Sequence, residues 1–208
     1  MNELNILKST IELVKEVGSF LTTVKDNVWG NEHASYDKLN ETLDEIAKFF
    51  EATQSEISDY QSLEFSDSNT RQGNKKLLYD LEGGMLRVRI EAARGHCSKI
   101  KLIYENYLDK WFREVFGNSS EYNTIHTLFL ELSVYDVNMF AATDELQKFI
   151  KNEAVAVLNF VEQKDYTAAD EQIIASRATL SPIRQSISEL LTNLLILKNK
   201  FMILSKRT

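Results

Sequence analysis

Three histidines and one cysteine are the residues of this chain best suited to bind a metal or act in nucleophilic chemistry, and their spacing argues against both. His33, His96 and His126 form no His-x-x-x-His or Glu-x-x-His pair, the spacings that set two ligands on one helical face. A metal site would need ligands from separate helices, so structural or surface roles are expected for all three. Cys97 has no partner for an intrachain disulfide and reads as a small buried apolar residue. Adjacent carboxylates are plentiful, as at Asp44–Glu45, Asp144–Glu145 and Asp170–Glu171. Acid–base catalysis needs a cleft and a raised pKa as well as a carboxyl group. Carboxylates on the polar side of a helical pattern read instead as a solvated face. Glu82-Gly83-Gly84-Met85 sits inside a helical pattern, not in a strand-to-helix phosphate loop. No Gly-x-Ser-x-Gly motif or dinucleotide fingerprint occurs. No catalytic residue, metal or cofactor is therefore expected, and the chain does not read as an enzyme.

What the sequence encodes strongly is a set of long helices. One proline and seven glycines in 208 residues leave few turns, which disfavours β-rich folds. A hydrophobic content of 43% with 26% charged residues fits one soluble domain spanning 1–208. The first predicted helix covers about Glu3 to Val28, with Gly18 permitting close approach by a neighbour and Gly30 as a C-terminal cap. The second starts at the N-cap Ser35 and carries Tyr36, Leu39, Leu43, Ile46, Phe50, Thr53, Ile57 and Tyr60 in a strict seven-residue repeat. A polar loop follows over 66–74.

The third predicted helix runs from about Lys75 to Phe116, with Leu86, Ile90, Ala93, Cys97, Ile100, Tyr104, Tyr107 and Trp111 as its seam. The pair Gly83–Gly84 is a place for a kink. The fourth begins after Ser119 or Ser120 and ends near Val161, interrupted at Asp136 and Asn138. The fifth opens on a capping box from Thr167 to Asp170 and continues from Ile173 through Ser176, Leu180, Ile183, Ile187, Leu190, Leu194, Leu197, Phe201 and Leu204, with Pro182 kinking or restarting it. The expected fold is all-α: an elongated antiparallel bundle of about five helices, with long helices 3 to 5 and a shorter helix 1–2 hairpin packed along them.

Charge and leftover apolar residues suggest surfaces. The second helix is acidic, with Asp37, Glu41, Asp44, Glu45, Glu51, Glu56 and Asp59 against Lys38 and Lys48. The third carries a basic stripe at Arg87, Arg94 and Lys101, and the segment 184–207 is basic with Glu189 its one acid. Complementary packing of the second helix on the third or fifth accounts for most of this, with an acidic partner for the stripe as the functional reading. Tyr104, Tyr107, Trp111, Phe112, Phe116 and Trp29 form an aromatic group best placed in the core. Leu191, Leu195 and Met202 lie off the seam of the last helix and could serve self-association.

A net charge of −7 argues against nucleic acid. No run of about 18 apolar residues suggests a membrane span, and the polar residues Asn2, Glu3 and Asn5 do not suggest a signal peptide. A cytoplasmic protein acting through protein contacts is the first expectation. Its interaction patch would be Arg87, Arg94, Lys101, Leu191, Leu195 and Met202. The alternatives are a membrane-active amphipathic bundle, or a small-molecule sensor with an interhelical pocket near Asp136, His126 or His96.

Overall fold

A computed structural model describes residues 33–133 and 139–205, with positions 11, 12, 15, 17–19 and 22 before them. Among these residues the chain is helical, without strands. The helices are α1 (His33–Gln61), α2 (Arg71–Tyr79), α3 (Met85–Ile103), α4 (Asp109–Phe116), α5 (Ser120–Ser133), α6 (Met139–Glu162) and α7 (Tyr166–Ser205). The π-turns Asp80–Gly84 and Tyr104–Leu108 join α2 to α3 and α3 to α4, so residues 71–116 form one helical run. The molecule is an all-α bundle. The first predicted helix and its hairpin fall largely outside the described residues, as do Gly30, Trp29 and Asp136. Gly18 is described, and among the described residues a methyl group there would meet nothing within 4 Å.

α1 is the central element, packed between α7 and α3, while α6 packs on α7. Its eight-residue seam is buried throughout, from Tyr36 to Tyr60. That seam forms because period-3.5 apolar spacing keeps one stripe facing its neighbours along a helix of 29 residues. α1 and α7 are antiparallel: Asp44 meets Lys198, Gln54 donates to Ser188, and Gln61 donates to Ser181. On α7 the expected seam is buried at every position from Ile173 to Leu197, and the side chains of its last two members, Phe201 and Leu204, lie outside the described residues.

α7 runs for 40 residues, about 60 Å, without a break at Pro182. The expected restart does not occur. Proline denies the Ala178 carbonyl its donor, but Ala178 and Pro182 both face solvent, where water replaces the lost bond. The Ser181 hydroxyl bonds the neighbouring Arg177 carbonyl at 2.7 Å.

Three boundaries differ from expectation. α1 begins at His33, so Ser35 is inside the helix and not its cap. The N-cap of α7 is Asp165, ahead of Thr167, and its Oδ1 accepts from the Ala168 amide at 3.1 Å. Asp170, freed from capping, instead accepts from the amides of Phe65 at 2.7 Å and Ser66 at 2.9 Å. It thereby clasps the loop between α1 and α2, which starts at 62 and ends at 70. Arg177 donates to the carbonyls of Gln61 and Leu63, and Arg71 to that of Phe65, completing the clasp. Leu63 and Phe65 are buried beneath it.

The Gly83–Gly84 pair does not break the helix but closes a π-turn. The second π-turn has the larger effect. A π-turn holds one residue more than an α-turn, so it rotates everything after it by about 100°. The expected seam residue Tyr107 is 55% exposed, with Lys38 Nζ 4.9 Å from its ring centre, and Leu108 is fully buried in its place. Phe112, expected outside the seam, is also fully buried. Gly117 ends α4 at φ +61°, as its glycine suggests, and Ser119 caps α5 by accepting from the Tyr122 amide at 3.3 Å.

Candidate interaction surface

Three places on the molecule gather polar or apolar groups that could act on something outside it. The first surrounds Asp109, at the second π-turn. Tyr104, the first residue of that π-turn, stacks on Phe129 of α5 at 4.3 Å. Asp109 Oδ1 accepts from the Tyr104 hydroxyl at 2.9 Å and the Tyr122 hydroxyl at 2.7 Å, and Oδ2 accepts from Arg113 Nε at 3.1 Å. His126 Nδ1 lies 2.7 Å from the Tyr104 oxygen. A protonated Nδ1 donating to Tyr104, with Tyr104 donating to Asp109, gives each of these groups a partner. Burial raises the Asp109 carboxyl, but the two phenols and Arg113 outweigh it and hold the group below its ordinary value. Burial, reinforced by Asp109, pushes the Tyr104 phenol far up, so it stays protonated. A carboxylate with lowered basicity and three donors on it is poorly matched to general-base work. The network joins the π-turn, α4 and α5.

The second place is Glu45 on α1, whose side chain is 5% exposed. It accepts from Lys48 at 2.9 Å and meets His96 and Lys99 of α3. Burial raises its carboxyl, and Lys48 and His96 together overcome this to hold it below the usual value. Its neighbour Asp44, about 100° round the helix, meets Lys198 of α7. The acidic helix thus pairs with both basic elements, the arrangement that its charge pattern suggested. His96 and His126 both sit on carboxylates. Among the described residues no group of three His, Cys, Asp or Glu could hold a metal ion. Cys97 is buried, and burial raises its thiol to about 11, which makes it unreactive.

The third place is the outer face of α7 near its C-terminal end. Leu195 is 57% exposed, Ile196 58%, Met202 40% and Ile203 53%. The four recur seven apart in two pairs, which sets them on one arc of the helix, with the exposed Asn199 in its middle. Beside the arc, a groove of about 290 Å³ runs between α7 and α1, lined by Leu191, Leu194, Leu195 and Ala47 with Asp44, Glu51 and Lys198 at its rim. Along α1 the rim continues as Asp37, Asp44 and Glu51, again seven apart. An apolar floor is thus bordered by a mostly acidic rail.

Of the residues that the sequence singled out, the structure unites Leu191, Leu195 and Met202 on this face. Lys101 is elsewhere: it is exposed on α3, a different side of α1, and faces Glu105 at 3.8 Å. The positions of Arg87 and Arg94 lie on α3, but their side chains are outside the described residues. The six-residue patch is therefore not one surface as far as it is described. Ile196 and Ile203 were missed, although their seven-residue spacing was visible beside Leu195 and Met202. Among the described residues no helix is long and apolar enough to cross a membrane. Comparison with protein-family models, with curated proteins and with solved structures finds no match to this chain.

Proposed function

We propose that this chain is a non-enzymatic helical bundle that works through protein–protein contact, as an adaptor, regulator or effector module. The observation that carries the reading is the apolar arc of α7. Single exposed apolar residues are ordinary, but four within nine residues on one face make a patch. Their exposures leave roughly 400 Å² of apolar surface, in the range of patches that serve contacts. Covering it yields about 10 kcal/mol at about 25 cal/mol/Å² before the cost of association, enough for a reversible complex. The saturated networks around Asp109 and Glu45 support the same reading, since each satisfies its own groups. A cytoplasmic location belongs to this proposal, because there the lone thiol Cys97 would stay reduced.

The test places a photo-crosslinking residue at 196 or 203 in cells that make the protein. A control sits at position 110 on α4, where Lys110 is 87% exposed. A discrete protein adduct from 196 and 203, absent from 110, is expected. Equal labelling at all three positions, or none at 196 and 203, refutes the proposal.

A further inference from the structure

Resting on that reading, we infer that the occupant of the α7 face is a second copy of this chain, with the two α7 helices packed antiparallel about a two-fold axis at Asn199. A two-fold interface must be self-complementary: what lies on one side of the axis must fit what lies on the other. The arc meets this condition. Centring the pair on Asn199 sets Leu195 opposite Ile203 and Ile196 opposite Met202, so each large apolar side chain faces another. Asn199 itself is exposed in the middle of the arc and would face its own copy, where the two amides can bond each other. A lone asparagine within an apolar helical seam is a device that fixes register between helices.

The charges fit the same arrangement. The antiparallel packing of α1 on α7 puts Asp44 level with Lys198 and Glu51 level with Leu191. With the axis at Asn199, Asp37 of one copy falls level with Lys48 of the other, and the side chain of Lys48 is half exposed. The acidic rail argues against an anionic lipid surface as the occupant, since Asp37, Asp44 and Glu51 flank the arc that would have to enter it. The arc is about half of the roughly 800 Å² per partner found in standard interfaces. A weak dimer that exchanges with monomer follows.

Sedimentation of the full chain from low to high micromolar concentration tests the association, and disulfide trapping tests its geometry. The native Cys97 is buried and does not compete. In the variant Asn199→Cys the new thiol lies on the axis and next to its copy, so mild oxidation should link most of the dimer. In Thr192→Cys the two thiols are about 20 Å apart along the helices, too far for a bond, and little product is expected. Ile196→Asp with Ile203→Asp should shift the protein to monomer while circular dichroism stays helical. A strict monomer at all concentrations, equal trapping at 192 and 199, or a dimer indifferent to the two aspartates overturns the inference. Capture by vesicles of phosphatidylserine and phosphatidylcholine of a protein that stays monomeric in solution would also overturn it. A monomer in sedimentation with a cellular adduct of a different protein at 196 and 203 removes the second copy but leaves the contact function standing. A monomer with no adduct removes both.

Discussion

The π-turn at Tyr104–Leu108 makes opposite demands on two adjacent residues, and mutating each separates them. A regular seven-residue seam would bury Tyr107 and leave Leu108 outside. The structure buries Leu108 completely and leaves Tyr107 55% exposed. Leu108→Ala removes three carbon groups at about 0.8 kcal/mol each and leaves a cavity beside them, so about 3 kcal/mol should be lost. Tyr107→Ala loses a half-exposed ring and its contact with Lys38, together about 1 kcal/mol or less. Urea unfolding followed by circular dichroism at 222 nm reads both. With a slope of about 2–3 kcal/mol per molar, the Leu108 variant should unfold about 1–1.5 M earlier, and the Tyr107 variant less than about 0.5 M earlier. The reverse order, or equal losses, would refute the π-turn register. Phe112→Ala, on the same rotated face, should behave like Leu108→Ala.

The Asp109 network predicts a pH dependence. The folded carboxyl lies below its unfolded value, so it stabilises the fold above the unfolded pKa, near 4, and that contribution is lost as pH falls through the folded pKa. Asp109→Ala should cost about 1–3 kcal/mol at neutral pH, by leaving Tyr104 without its acceptor, and should flatten the acid side of a melting-temperature profile. Lys164 ends α6 at φ +62°, with Asp165 N–H bonded to the Phe160 carbonyl at 3.0 Å. Lys164→Gly removes that backbone strain and should raise stability by about 0.5–1 kcal/mol in the same urea assay. Pro182→Ala restores a donor for the Ala178 carbonyl within α7 and should raise the melting temperature, with a gain of about 1–3 kcal/mol.

The parts of the fold that were legible are those where one register holds without interruption. α1 and α7 carry apolar seams whose every described position is buried, because nothing within them adds or removes a residue from the repeat. The run 71–116 was legible as one helix but not in register. Tyr107 and Leu108 are both apolar, as are Trp111 and Phe112, so two registers bury similar residues and composition does not choose between them. The choice falls to Tyr104, Asp109, Tyr122 and His126, whose bonds link the π-turn and α4 to α5 and depend on the packed structure. The same limit applies to Asp170. Its spacing from Thr167 suited a cap, but the decisive partners are two amides more than a hundred residues earlier. On the candidate surface, Leu191, Leu195 and Met202 were legible as residues left over from a seam. Their separation from Lys101 was not, since it depends on which side of α1 each helix takes.

The clasp between Asp170, Arg177 and the loop after α1 also bears on how the protein is made. α1 is synthesised early, yet its main neighbour is the last helix, with Gln54 and Ser188 separated by 134 positions. At about 5–20 residues per second, translation leaves the seam of α1 without α7 for on the order of 10–30 s. During that interval Leu39, Leu43, Ile46, Phe50 and Ile57 lack the surface that finally covers them. A chain that stops before α7 therefore forfeits the central packing of the bundle and the anchor of the loop after α1 together. Premature termination anywhere before residue 166 should yield a polypeptide destined for chaperones and proteases, not a smaller working version of the bundle.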